Sequence, residues 1–372
     1  MSERWLAERT RQYDASGIRR VFDLAARLTD PVNLSIGQPD FDVPEPIRRA
    51  AVEAIQSRKN GYALSQGMPV LRDKLQARVD REFGHADREL FVTSGTSGGI
   101  MLAMLVLVNP GEEVIVFDPY FVMYDALAAV AGARIVYIDT YPDFRIDPDR
   151  VAAAITPRTK MIVLNSPANP TGVVAAADEV RALAELAERH NLVLLSDEIY
   201  RHFCYDGSFV SPARYNPRTL VVDGFSKTYA VPGWRLGFAH GPAAVIGEMI
   251  KLQQYSFVCA PQPMQWAGAA ALDVDVAPYI EAYRQKRDLL VAGLREDYEL
   301  VVPQGAFYLF PRVPWGTGTQ FVTRAIEGHK LLVIPGNVFS RRDTHFRISY
   351  AASDATIRRG IEALGKLARE AP

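Results

Sequence analysis

The chain has 372 residues, 48% of them apolar, and a formal charge of −1. That length can hold one large core with a smaller second unit, and the apolar share excludes a disordered chain. The near-zero charge gives no electrostatic footprint for nucleic acid or an anionic membrane.

Two cysteines, Cys204 and Cys259, and six histidines without HExxH-like spacing support neither a disulfide framework nor a metal site. The opening stretch MSERWLAERTRQYD is too charged for a signal peptide, and no apolar run of about 18 residues marks a membrane span. The expectation is a soluble, cytoplasmic protein. The first 45 residues are rich in Pro, Gly and Asp and hold no strong strand, so they are expected to pack against the C-terminal part.

From about residue 90 onward, β-rich apolar runs alternate with helical stretches. LFVT (90–93) leads through SGTSGG (94–99) into IMLAMLVLV, read as a helix apolar on all sides and therefore buried. Gly95, Thr96 and Ser97 either offer N–H groups and hydroxyls to an anion or form an ordinary glycine-rich turn. VIVFD (114–118) runs into DPYF (118–121), where Phe121 or Tyr120 lies flat on a planar ring or fills the core at a strand end. RIVYI (134–138) and MIVLN (161–165) follow, the latter leading to NSPANPTG (165–172). Its prolines hold an extended turn from which Asn169 can direct an amide into a crevice.

ADEVRALAELAERH (177–190) places Val180, Leu183 and Ala187 on one helical stripe. LVLLS (192–196) then enters SDEIY (196–200). Asp197 ends an apolar strand and needs a cationic partner there, such as a protonated pyridine nitrogen, unless it caps a helix. Tyr200 follows at a spacing that could reach the same ring's phenolic oxygen. TLVVD (219–223) precedes GFSKTYAVPGWRLG (224–237), and RLGFAH (235–240) reads as a seventh strand. Burial would depress the pKa of Lys227 and let its amine condense with an aldehyde. Arg235 cannot lose its charge and suits a phosphate. Together they point to pyridoxal 5′-phosphate (PLP), the alternative being a surface lysine beside a turn.

Nearly continuous apolar strands are buried on both faces, and their alternation with helices argues for a helix-covered, mostly parallel sheet. Beyond it, a charged helical stretch near 278–297, ELVVPQGAFYLFPRV (299–313), LLVIPGNVF (331–339), HFRISYA (345–351) and a closing helix read as a smaller α+β unit. The expected division is an N-terminal segment 1–45 packing with the small domain, a large domain 46–285, and a small domain 286–372.

NPTG, SDEIY and SKTYAVPGWRLG, in this order and near this spacing, resemble the class I/II PLP-dependent aminotransferases of fold type I, in the aspartate aminotransferase superfamily. SIGQPDF (35–41), GYALSQGMPVLRDKL (61–75) and FRISYA (346–351) extend the resemblance over nearly the whole chain. It implies a large PLP-binding domain with a mostly parallel central sheet in an α/β/α sandwich, plus a smaller α+β domain built from both chain ends. It also implies amino-group transfer from an L-amino acid to a 2-oxo acid, with 2-oxoglutarate the expected acceptor. Candidate donors are aspartate, an aromatic or another neutral amino acid.

By that resemblance, Lys227 is the Schiff-base lysine and later the proton carrier. Asp197 pairs with the pyridine nitrogen, Tyr200 and Asn169 contact the phenolic oxygen, and Phe121 stacks on the ring with Tyr120 as fallback. Gly95, Thr96, Ser97, Ser226 and Arg235 hold the phosphate. Tyr62 reaches the phosphate of a neighbouring subunit, implying a homodimer with shared active sites. Arg347 binds the substrate carboxylate, assisted by Gly37 and Asn169.

Two departures stand out. Gly224 sits where many relatives carry Ser or Thr three residues before the lysine, which shifts phosphate load to Ser226. Ser97, Gly98 and Gly99 occupy the stretch where some aspartate-specific relatives carry a lysine. Phe22, Tyr62 and Phe121 hint at tolerance of apolar or aromatic side chains. The same constellation supports a lyase, decarboxylase or cyclase. A regulator on this fold would need an added DNA-binding unit, and a nicotinamide enzyme would need the missing GxGxxG.

Overall fold

The computed structural model describes residues 5–13, 17, 21 and 28–370; Phe22 lies outside the described residues. The strands are β1 Val32–Asn33, β2 Arg88–Thr93, β3 Glu113–Asp118, β4 Arg134–Asp139, β5 Thr159–Asn165, β6 Val193–Asp197, β7 Leu220–Gly224, β8 Gly237–Pro242, β9 Tyr308–Leu309, β10 Leu331–Leu332, β11 Ile334–Pro335 and β12 Phe346–Ser349. Seven of them form one sheet in the order β2-β8-β7-β6-β5-β3-β4. The pairings from β7 through β4 are parallel, while β8 runs antiparallel to both of its neighbours. The expected mostly parallel sheet of an α/β protein is therefore present.

The apolar runs are continuous because both sheet faces are covered. Successive side chains of a strand point to opposite faces. Ile115, Ile162, Leu164 and Leu194 pack with Val180, Leu183 and Ala187 of the helix Ala177–Arg189. Their sequence neighbours Val114, Val116, Met161, Val163 and Leu195 pack with Ile100, Ala103 and Met104 of the helix Gly95–Leu107. Each such Val, Leu, Ile or Met side chain contributes about 1.5–3 kcal/mol when fully buried. That second helix is not covered all round: Leu105 stays 39% exposed.

The C-terminal runs make less regular structure than their apolar content suggests. Of residues 299–313 only Tyr308–Leu309 is a strand. The preceding backbone bonds elsewhere: Gln304 and Gly305 N–H both donate to the Gly172 carbonyl, and Ala306 N–H to that of Phe203. Ala306 also adopts φ 53°, which no extended strand permits. Within 331–339, Leu331–Leu332 pairs with Val32–Asn33 in parallel, and Ile334–Pro335 pairs with β12. Pro335 and Gly336 then turn the chain into a short 3-10 segment.

Candidate active site

Parallel strands end on one edge of the sheet, so β5, β6 and β7 deliver Asn165, Asp197 and the turn after Gly224 to the same place. β2 delivers the start of the helix Gly95–Leu107 there too, being antiparallel to β8 and so aligned with the others. Arg235 gets there by the opposite route. It precedes β8, and an antiparallel strand begins where its neighbours end. The predicted strand 235–240 accordingly starts only at Gly237, because Arg235 caps a 3-10 turn with a left-handed backbone, φ 51°. These termini surround a cavity of about 310 Å³ whose wall includes Lys227, Asp197, Tyr200, Asn169, Arg235 and Arg347.

Lys227 is partly buried, and its Nζ donates to the Gly37 carbonyl at 2.7 Å. Burial, then the charges of Arg347 and Arg235, pull its pKa down to about 8, against the opposing charge of Asp197. A fair fraction of its amine is therefore neutral near pH 7–8, as a nucleophilic lysine requires.

Asp197 is 3% exposed. Its Oδ2 accepts from Tyr124 Oη at 2.7 Å and its Oδ1 from the Ile199 N–H at 3.3 Å, with no cation directly bonded among the described residues. Burial pushes its pKa up to about 6, while the Tyr124 bond, the Ile199 N–H and Lys227 hold it back.

A pKa raised on folding favours the neutral acid. Relative to an ordinary aspartate, this group's stabilising contribution is complete below about pH 4 and is lost as pH rises through about 6. A difference of about two pH units corresponds to roughly 3 kcal/mol. The cofactor-free wild type is expected to lose up to this amount relative to Asp197→Asn between pH 4 and 7 in urea titrations. Parallel pH profiles for the two proteins would refute a buried, uncompensated Asp197 carboxylate.

The opposite wall is shaped for an anion. The helix begins at Gly95, and Ser94 makes no side-chain cap, so its first N–H groups are free of side-chain acceptors. The buried Thr96 Oγ1 has no hydrogen-bond partner among the described residues. Ser226 lines the same wall, and Arg235 Nη2 lies 3.5 Å from Ser97 Oγ. Gly95 has φ 71°, and a Cβ there would meet Arg235 Nη2 at 2.5 Å. Gly224 is explained likewise: a Cβ would come within 2.7 Å of Thr96 Oγ1, so the Thr96 hydroxyl fills the space that a serine or threonine there would use. The orphan hydroxyl, the free N–H groups, the arginine and the cavity volume fit a phosphorylated ring.

Arg347 is 1% exposed and locked from several sides. Nη1 donates to Asn169 Oδ1 at 3.0 Å and Nη2 to the Ser35 carbonyl at 2.9 Å. Its Cζ lies 4.6 Å from the Tyr308 ring centroid and 4.5 Å from that of Phe339, and among the described residues Nε has no partner. No carboxylate neutralises it among the described residues. Tyr200 Oη and Tyr308 Oη are 2.8 Å apart, and burial keeps the Tyr200 pKa far above its usual value. A Cβ on Gly37 would strike Tyr308 Oη at 2.5 Å.

Phe121 is on the cavity wall, whereas Tyr120 turns into the core against Tyr137. Tyr62 is not on the wall of its own chain; it is 88% exposed. Tyr124 and Tyr308 are absent from the sequence-based set. The first had a signal, since a buried Asp197 needs a donor. The second had none, as one tyrosine in an apolar run looks like core.

Residues 29–364 match the family described as aminotransferase class I and II. The chain is 38% identical to the aspartate/prephenate aminotransferase of Thermus thermophilus, over 94% of each. It is 34% identical to the aspartate aminotransferase of Pyrococcus abyssi, over 98% of each. Among solved structures it resembles Thermus thermophilus aspartate aminotransferase with maleate, with TM-score 0.93 and 37% identity, covering 97% of this chain and 99% of that one.

Proposed function

The chain belongs to the aminotransferase class I and II family and is a PLP-dependent aminotransferase acting on amino acids and 2-oxo acids, and we propose that Lys227 is its Schiff-base lysine and proton carrier. The observation that carries this reading is the partly buried Lys227 amine on the cavity wall, its pKa drawn down to about 8 by burial. PLP, when bound, supplies an aldehyde carbon for amines and a ring that takes up the electron pair left on breaking a Cα bond.

The chain's residues then divide the work. Asp197 holds a proton on the ring nitrogen, and Tyr124 orients Asp197. Gly95, Thr96, Ser97, Ser226 and Arg235 hold the phosphate, and Phe121 covers the ring. Asn169 and Tyr200 face the phenolic oxygen. Arg347, with Asn169 and Gly37, fixes the substrate α-carboxylate by a two-point fork. As a free amine, Lys227 would be held by the Gly37 carbonyl and would take and return the proton at the substrate Cα. Domain limits of 46–285 and 286–372, with 1–45 joined to the smaller domain, suit the pairing of β1 with β10.

Two further readings belong to this proposal. The exposed apolar side chains Tyr62, Leu64, Leu105, Tyr255 and Val258 suit burial against a second copy, as a homodimer in which Tyr62 reaches the partner's phosphate. A cytoplasmic setting suits two free cysteines; among the described residues no helix is long and apolar enough to cross a membrane.

Aspartate is the first donor to test, from the names of the relatives, with 2-oxoglutarate as acceptor. Aromatic donors come second, from Ile36 and Phe121 on the wall. Mixing the PLP-loaded enzyme with each amino acid and no acceptor is expected to release one equivalent of 2-oxo acid per site and then stop. Continued release of ammonia would instead make it a lyase.

A further inference from the structure

We propose that Tyr308 is a positioning residue whose hydroxyl holds Tyr200 as a hydrogen-bond donor toward the cavity and ties it to Arg347. This rests on the reading that Tyr200 contacts the phenolic oxygen of the cofactor. Tyr308 sits in β9, 1% exposed, and touches three parts of the site. Its ring packs on the Arg347 guanidinium at 4.6 Å, its hydroxyl lies 2.8 Å from that of Tyr200, and it abuts Gly37, whose carbonyl accepts from Lys227. The two tyrosine rings meet edge-on at 5.7 Å and 85°, so packing as well as the hydrogen bond sets the pair.

Each hydroxyl has one proton to donate. If Tyr200 donated to Tyr308, the Tyr308 proton would have no protein acceptor among the described residues, and Tyr200 would have none left for a ligand. Donation from Tyr308 to Tyr200 satisfies the buried pair and leaves the Tyr200 proton for the cavity. The charges around the pair favour that direction. Burial raises the pKa of both hydroxyls, that of Tyr200 the further; Arg347 of β12, which lies on the Tyr308 ring, opposes this at both, and Tyr308 is left the more acidic hydroxyl, hence the better donor. Asp197, on the Tyr200 side, makes Tyr200 the less acidic one. Among the described residues, the other titratable groups around the pair are Tyr124 behind Asp197, Lys227 on the facing turn, and Tyr283 and Tyr350 on the Tyr308 side. A donor that itself accepts a hydrogen bond is strengthened, by about 10–30% per bond.

The test is the pH midpoint of the visible absorbance of purified, PLP-loaded enzyme without substrate. A donor at the phenolic oxygen draws off negative charge and lowers the proton affinity of the lysine nitrogen bonded to the cofactor. Tyr200→Phe should therefore raise the midpoint by about one unit, the worth of one such bond. Tyr308→Phe keeps the ring against Arg347 and removes only the hydroxyl, so it should raise the midpoint by about 0.3 unit. Added to Tyr200→Phe, it should raise it no further. A Tyr308→Phe midpoint equal to wild type, with Tyr200→Phe shifted, overturns the role of Tyr308 alone. A Tyr308→Phe shift that persists in full in the Tyr200→Phe background also overturns it. An unshifted Tyr200→Phe removes the Tyr200 reading and this one together.

Discussion

Lys227→Ala is expected to leave a folded protein that no longer retains PLP through borohydride reduction and whose half-reaction with amino acids falls by at least about 10⁴-fold. General acid–base transfer alone accounts for about 10²–10⁴, and the covalent route through the amine is lost with it. Among the described residues its Nζ bonds only the Gly37 carbonyl, and removing a partly buried cation held near pKa 8 relieves a desolvation cost. Stability should therefore be unchanged or slightly raised. Thermal melts of the cofactor-free proteins separate this from unfolding. Trapping of PLP by the variant at wild-type yield would end the assignment of Lys227. Lys227→Arg should not restore activity, because a guanidinium stays protonated and does not condense.

Arg347→Ala is expected to raise KM for both the amino acid and the oxo acid by about 10²–10³-fold, with a smaller fall in kcat. Two charge-assisted hydrogen bonds to a carboxylate are worth about 1.5–3 kcal/mol each. The guanidinium is already fixed between Tyr308, Phe339, Asn169 and the Ser35 carbonyl, so little ordering remains to be done when substrate binds. Arg347→Lys should recover less than a tenth of the loss, since an ammonium can neither fork nor lie flat between the two rings. An Arg347→Ala enzyme with unchanged KM for both substrates would place the carboxylate elsewhere. Truncating this buried side chain also leaves Asn169 Oδ1 and the Ser35 carbonyl without their donor and a cavity between Tyr308 and Phe339, so the cofactor-free variant should melt at a lower temperature than wild type.

Much of this was readable along the chain because each feature is local. The strand ends at Asp118, Asn165, Asp197 and Gly224 follow from apolar runs closed by polar or turn residues, and they agree with the structure to within a residue. Lys227 and Asp197 were recognisable because an ionisable group at the end of a buried strand demands a chemical reason. Across residues 299–307 the same method failed. Residues 299–307 have the composition of a strand, yet the N–H groups of Gln304, Gly305 and Ala306 donate to Gly172 and Phe203, partners far away in sequence that no periodicity encodes.

Local patterns along the chain set the strands, the helix that opens at Gly95, and the residue types the chemistry needs, because period-two and period-3.6 patterns and turn residues act over short range. Tertiary structure decided the distances and directions. The reversed β8 carries Arg235 to the edge where Lys227 waits. Thr96 takes the space beside Gly224, and Tyr124 and Tyr308 become partners of Asp197, Tyr200 and Arg347. The Tyr124–Asp197 and Tyr200–Tyr308 hydrogen bonds join residues 73 and 108 apart in the chain, so no local pattern could announce them.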